Sequence, residues 1–361
     1  GDFVVVHNGI VENYQELRAE LGAEGAVFSS DTDTEVIVHL VERFYTAENG
    51  LEKACQQAFG LLRGAHGIVV ISAREPDKLI TARIGNAGGV VIGMGHGEMF
   101  IASDMPAILE HTRRVVFLES RQMAVVTQEG LKLETLDGKP LPYEVHTVAW
   151  DPISAEKGEY RHFMHKEIHE QVRSLTDTIA GRVDFETGRI RLPELKLTPE
   201  SAKAIRKIII TACGTAYHAG LVGKTLIERI ARLPVSVEIA SEFRYAEPII
   251  EPGTVLLAIS QSGETADTLA AMEEGREQGA KLWSIVNVMG SQAQRTADGY
   301  ILMQAGPEIG VAASKSFTSS MVDQYLLALK LAELRGTLSR EALYDAVNDL
   351  ARLPDLVGQV A

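Results

Sequence analysis

The chain has 361 residues, 45% of them hydrophobic and 23% charged, with a formal net charge of −14. That length exceeds what one ordinary core organises, so two folded domains are expected rather than one domain or a disordered chain. The acidic balance excludes a basic surface for nucleic acid or anionic membrane, and leaves any phosphate ligand to backbone N–H groups and hydroxyls.

The chain opens at Gly1-Asp2 into an apolar strand, Phe3–Val6. Val11-Tyr14-Leu17-Leu21 and Val36-Ile37-Leu40-Val41-Phe44 then repeat at the three-to-four spacing of a helix face. From Gly67 the rhythm becomes that of short strands: 68–71, 79–84, 89–92, 99–102, 115–118 and 123–127. They follow one another too closely for crossover helices, so antiparallel sheets and a layered α+β domain are expected over 1–149. Residues 150–200 read as a connector, with one helical stretch from Tyr160 to Ile179 and a polar region around Pro193 to Pro199.

A second pattern begins near Ala202. Apolar strands at 207–212, 235–239, 254–259, 282–287 and 299–303 alternate with helix-length segments such as 217–232 and 265–278. That alternation predicts a parallel sheet with right-handed crossovers, whose ligands bind at the carboxyl ends of the strands. A long helix is expected from Ala313 to Leu334, closed by Gly336, and a last one over 339–350. No apolar run reaches the ~20 residues of a membrane span, nothing resembles a secretory leader, and the two cysteines, Cys55 and Cys213, fit a reducing cytoplasm.

Three strand-to-helix junctions share a composition: Thr211-Ala-Cys-Gly-Thr-Ala216, Ser260-Gln-Ser-Gly-Glu-Thr265 and Gly310-Val-Ala-Ala-Ser-Lys-Ser-Phe-Thr318. One such loop is most simply a helix cap, a contribution of ~1 kcal/mol. Three on one edge of a sheet form a cup of amides and hydroxyls for an anion, and the loops can both cap and bind. None matches the Walker or dinucleotide glycine patterns, which points to a phosphorylated small molecule.

These residues also carry a resemblance. Ser260–Thr268 resembles the phosphosugar loop of sugar isomerase (SIS) domains, and with Ala212–Thr215, Ala240–Tyr245 and Glu308–Val311 it resembles the glutamine–fructose-6-phosphate aminotransferase family. His7-Asn-Gly9, Thr32–Val36, Leu62–Ala65 and Ile101–Asp104 resemble that family's class II glutamine amidotransferase domain. The implied architecture is an N-terminal-nucleophile-type αββα domain over 1–149, a linker over 150–200, a parallel α/β SIS domain over 201–336 and the start of a connection over 337–361. The implied reaction converts fructose 6-phosphate and L-glutamine to glucosamine 6-phosphate and L-glutamate, with no cofactor and no metal, in a cytoplasmic homodimer.

Roles follow residue by residue from that resemblance. Asn8 and Gly9 correspond to the oxyanion hole, although Asn-Gly is also the best two-residue hairpin turn. Asp33 corresponds to the partner of glutamine's α-amino group, and also suits the first turn of a helix. Gly214, Thr215, Ser260, Gln261, Ser262, Thr265 and Val311 correspond to the sugar-phosphate site, with Cys213 as a small filler. Ala216 and Ala313 stand where the family usually has Ser, and Val172 where the linker usually has Pro. The family's N-terminal nucleophilic cysteine and second SIS domain are not seen, so this stretch is expected to bind sugar phosphate without turnover. A stand-alone sugar-phosphate isomerase or deaminase, or a non-catalytic binding module, are the rival readings. His162, His165 and His169 share one predicted helix near Glu170, and are read as a solvated face rather than a metal site.

Overall fold

The structure, a computed structural model, describes residues 1–85, 89–148 and 156–360; the expected boundary at 149–150 lies outside the described residues. The chain divides into two compact units, Gly1–Ala149 and Trp150–Ala361.

In the first unit β1 (Phe3–Gly9) leads into α1 (Tyr14–Ala23), α2 (Thr34–Phe44) and α3 (Gly50–Gly60). The strands β2 (His66–Ser72), β3 (Lys78–Ile84), β4 (Val91–Met94), β5 (Met99–Ala102), β6 (Arg114–Phe117), β7 (Gln122–Thr127), β8 (Gly130–Thr135), β9 (Pro140–Leu141) and β10 (His146–Thr147) follow. They form two sheets, β1-β2-β3-β7-β8-β9 and β10-β6-β4-β5, with every pairing antiparallel as the strand spacing requires. Alternate residues divide the larger sheet between two cores. Ile68, Val70, Ile80, Ala82, Met123 and Val125 pack with Val36, Ile37, Leu40 and Val41 of α2 and with Leu51 and Phe59 of α3. Ala124, Val126 and Leu133 turn the other way, against Ile92, Val116 and Leu118 of the smaller sheet. Helices, large sheet and small sheet thus stack as three layers of the expected αββα arrangement.

The second unit starts, within the described residues, with α4 (Phe163–His169) and α5 (Gln171–Ile179). Sequence spacing predicts one helix here, but it breaks at Glu170, whose ψ of −9° ends the first segment although no proline is present. A hairpin, β11 (Val183–Asp184) and β12 (Arg189–Ile190), precedes α6 (Pro199–Ala204), which starts with a capping box between Thr198 and Ser201. Then come β13 (Lys207–Ala212), α7 (Gly214–Ile230), β14 (Val235–Ile239), α8 (Ala240–Phe243), β15 (Thr254–Ser260), α9 (Ala266–Glu277), β16 (Lys281–Val286), α10 (Gln292–Thr296) and β17 (Gly299–Leu302). The long α11 (Lys315–Arg335), α12 (Arg340–Leu350) and α13 (Leu353–Gly358) complete it.

The five strands are parallel, in the order β14-β13-β15-β16-β17. All seven residues of central β15 are buried, the continuous apolar run of a strand covered on both faces. One face packs Ile208, Ile210, Leu257, Trp283 and Ile285 with Leu326, Leu327 and Leu331 of α11 and Leu175 and Ile179 of α5. The other packs Ile209, Leu256 and Leu282 with Phe243 of α8 and Leu269 and Met272 of α9. The carboxyl ends of β13 and β15 therefore open onto the N-termini of α7 and α9, where the Ser/Thr-rich loops lie.

Candidate functional site

A cavity of about 180 Å³ lies at these strand ends. Cys213, Thr215 and Ala216 line it from the α7 junction, Ser260, Gln261, Ser262, Thr265 and Thr268 from the β15–α9 junction, and Glu308, Gly310, Val311 and Ala313 from the segment before α11. Six of the seven expected sugar-phosphate residues are among them; Gly214 is the first residue of α7, beside Thr215. The two expected losses of hydroxyl are also here, at Ala216 and Ala313. None of the lining residues is Lys, Arg or His.

The helix-cap reading of the loops does not hold. Cys213 and Thr265 occupy the N-cap positions of α7 and α9, and neither side chain caps its helix. The first amides of a helix have no partner inside it, so two uncapped N-termini face one cavity. The hydroxyls instead organise the β15 loop. Ser260 Oγ lies 3.0 Å from Thr265 Oγ1 and accepts from the Gly263 amide at 3.0 Å, while Ser262 Oγ accepts from the Glu264 amide at 3.1 Å. The Gln261 carbonyl accepts from Asn287 at 3.0 Å, whereas its buried side-chain Nε2 has no protein partner. A desolvated amide donor costs about 1–3 kcal/mol when left unpaired, so this position is suited to an acceptor from outside the chain.

The third junction contributes differently from expectation. Ser316 Oγ donates to the Glu308 carboxylate, which also accepts the amides of Ser314 and Ser316 at 2.9 and 3.3 Å. Thr318 donates to the Lys315 carbonyl within its own helix at 3.1 Å. These hydroxyls shape the segment from within and leave Gly310 and Val311 to face the cavity. Burial raises the Cys213 thiol above its ordinary pKa, with Asp267 adding to the effect, which suits packing and not nucleophilic attack. Thr268 and Glu308 were not assigned roles from sequence. Thr268 could have been found from its i, i+3 spacing after Thr265, which puts both on one helix face.

In the first unit Asn8 and Gly9 end β1, paired with Gly67 and His66, so they do not form the hairpin turn. Gly9 has φ +148°, and a Cβ there would overlap the Ala65 carbonyl oxygen, so only glycine fits. Asp33 precedes α2 without capping it, and its Oδ2 accepts the Val11 amide at 2.7 Å. The three expected residues thus belong to one neighbourhood, where β1 leaves the sheet. Glu35 organises the approach: the amide of Ser29, the hydroxyl of Ser30 and their companion donors hold its carboxyl down at about 2.

A relay not read from the sequence lies beneath. His66 Nε2 is 3.2 Å from the Arg63 carbonyl, so it carries the proton and His66 Nδ1 is an acceptor. His7 Nε2, at 3.0 Å, donates to it, and His7 Nδ1 accepts from the Thr34 hydroxyl at 2.9 Å. Burial, then the neighbouring His7, pulls His66 down to about 4, and burial lowers His7 as well, with Asp33 opposing. A histidine depressed in the fold stabilises it fully above its unfolded pKa of about 6.5 and progressively less as pH falls toward 4. The first unit is therefore expected to lose thermal stability between pH 6.5 and 4, and His66→Phe to flatten that slope; an unchanged slope in melts followed by circular dichroism would exclude the relay as its source.

The histidines at 162, 165 and 169 do not assemble a metal centre. Only His165 and His169 meet, Nε2 to Nε2 at 3.3 Å against Tyr160, and among the described residues no group of three suitable side chains could hold an ion.

Comparison with known proteins follows the same division. The glutamine amidotransferase domain family matches residues 1–110 and the SIS domain family matches 203–330. Glutamine–fructose-6-phosphate aminotransferase (isomerizing) of Symbiobacterium thermophilum is 48% identical over 359 residues, which is 99% of this chain and 58% of that protein. Over nearly its whole length the chain is similar to this aminotransferase. The Thermococcus kodakarensis member is 44% identical over 359 residues, again 99% of this chain and 58% of its own length. A solved C-terminal domain of glucosamine-fructose-6-phosphate aminotransferase from Francisella tularensis superposes with a TM-score of 0.53 at 37% identity, covering 56% of each chain. The chain thus spans less than two thirds of the length of the family members it matches.

Proposed function

We propose that the cup at the ends of β13 and β15 binds a hexose phosphate, fructose 6-phosphate or its product glucosamine 6-phosphate. In a protein of the relatives' length, we propose, this chain serves the transfer of the amide nitrogen of L-glutamine to fructose 6-phosphate, giving glucosamine 6-phosphate and L-glutamate. The observation that carries the sugar-phosphate reading is the convergence of two uncapped helix N-termini, the unpartnered Gln261 amide and the hydroxyls of Thr215, Ser262 and Thr265 on one cavity without a cation. Such a site favours an anion with several acceptor oxygens while avoiding the desolvation of a buried lysine or arginine. Asn8, Gly9 and Asp33 are assigned to the glutamine end, as oxyanion donors and as the partner of the α-amino group. No cofactor or metal enters this reading. A cytoplasmic homodimer is the setting we infer for a protein of the relatives' length; among the described residues no helix is long and apolar enough to cross a membrane.

The 361-residue chain itself is expected to bind and not turn over. Cys55 is buried in α3, and burial raises its thiol far above the range of a nucleophile. Cys213 lies in the other unit. In a calorimetric titration the chain should take up fructose 6-phosphate and ignore fructose. Thr265→Val, which keeps shape and removes the hydroxyl, should weaken the affinity about tenfold, the equivalent of one hydrogen bond to a charged group. Equal heats from fructose and its phosphate would sink the assignment.

A further inference from the structure

The wall of the cup that includes Gly310 and Val311 is an irregular segment between β17 and α11, and something must fix its backbone. The sequence gives no sign of it, because the residue that does so lies on the connector, 142 positions earlier. Glu167 of α4 is 2% exposed and sends its carboxylate to that backbone: Oε1 accepts the Ile309 amide at 2.6 Å and the Gly310 amide at 3.1 Å, and Oε2 lies 3.2 Å from the same Gly310 amide. The fit is tight, since a Cβ on Gly310 would stand 2.5 Å from Glu167 Oε2. One turn on, Glu170 accepts from Lys315 Nζ at 2.6 Å, and Lys315, itself 2% exposed, is the first residue of α11. The segment is thereby held at its middle and at its end by one connector helix and its cap.

We propose that Glu167 is a positioning residue of the sugar-phosphate cup. Its carboxylate takes the place of the ladder partner that the Ile309 and Gly310 amides lack, and so sets where the Gly310–Val311 wall stands opposite the Ser260–Thr265 loop. With the amides of Ile309 and Gly310 engaged by Glu167, and those of Ser314 and Ser316 by Glu308, four backbone donors of this segment are already in use. Charge-assisted hydrogen bonds are worth about 1.5–3 kcal/mol each, enough to hold a loop that has no ladder of its own.

The inference rests on the sugar-phosphate reading above, and the test separates the two. Glu167→Gln keeps the shape but sets an NH2 group against an amide N–H, and should weaken fructose 6-phosphate binding by the 361-residue chain about tenfold in calorimetry. Glu167→Ala should weaken it further, and formate, small enough to occupy the vacated carboxylate position, should restore part of the loss. A change that merely loosened the fold would not respond to formate. Hydrogen exchange gives a readout that needs no ligand: the Ile309 and Gly310 amides should be protected in the native chain and exposed in Glu167→Ala. Undiminished affinity in both variants, or fast exchange of these amides in the native chain, overturns the positioning role alone. Absence of fructose 6-phosphate binding by the native chain overturns the functional reading and this inference with it.

Discussion

Replacing Arg182 by methionine is expected to lower the unfolding free energy of the second unit by about 3–5 kcal/mol. Arg182 follows α5, and its guanidinium donates to the carboxylate of Asp323 on α11 and to the carbonyl of Leu302 at the end of β17. Arg182 thus meets β17 and α11, 120 and 141 positions later, through one cation. Asp323 is fully buried; burial pushes its carboxyl up to about 7, and Arg182 is the partner that pulls it down. Without Arg182 the acid keeps its desolvation cost and loses its compensation. Methionine fills much of the space, so the loss reads the charge and not a cavity. Replacing both partners, Arg182→Met with Asp323→Leu, should recover most of the stability, because an apolar pair carries no desolvation cost. Urea unfolding followed by the fluorescence of buried Trp283 measures both. A loss below about 1 kcal/mol for the single variant would mean that water reaches the pair and that it behaves as a surface ion pair.

That pair shows where sequence reading stops. The strands of the parallel sheet were legible because each is a run of apolar residues punctuated by turns, and Lys207–Ala212 and Val235–Ile239 fall where the pattern puts them. Two walls of the cavity were legible for the same reason: the loops after β13 and β15 are short, directly follow buried strands and are rich in hydroxyls. What was not legible is pairing across distance. Glu167 meets Ile309, Arg182 meets Asp323 and His7 meets His66 only because of how the chain closes, and each of these residues alone looks like an ordinary polar side chain. Asn8-Gly9 is the instructive intermediate case. Local propensity favours a hairpin turn there, yet β1 continues through both residues because β2 supplies a full antiparallel partner as far as His66. The hydroxyls of Ser316 and Thr318 misled in the other direction. Composition assigned them to the ligand, whereas a buried Glu308 and the first turn of α11 claim them first.

Gly263→Ala should be the most damaging single-methyl change in the cup, with a cost of about 2–4 kcal/mol from backbone strain and overpacking together. Gly263 has φ +68°, a conformation that side chains with a Cβ adopt at a penalty. Its missing Cβ would also overlap the Oγ of Ser291, a residue with no exposed surface, and would stand 2.5 Å from Ser291 Cβ. The loop cannot simply step aside. The Gly263 amide donates to Ser260 Oγ at 3.0 Å, and its carbonyl accepts from Ala293 at 2.9 Å. A shift large enough to clear Ser291 therefore moves Ser260, and with it the Thr265 hydroxyl that Ser260 holds at 3.0 Å. Both stability and affinity for fructose 6-phosphate should fall, the affinity by about tenfold or more if one charge-assisted contact is lost. The two causes separate in a second variant. Ser291→Gly empties the space that the new methyl needs but leaves φ unchanged, so Gly263→Ala with Ser291→Gly should regain the overpacking part and retain about 1 kcal/mol of strain. Denaturant unfolding and calorimetric titration of the single and double variants, taken together, test this. If the double variant is no more stable than Gly263→Ala alone, contact with Ser291 is not what restricts this position to glycine, and the left-handed backbone accounts for the whole loss.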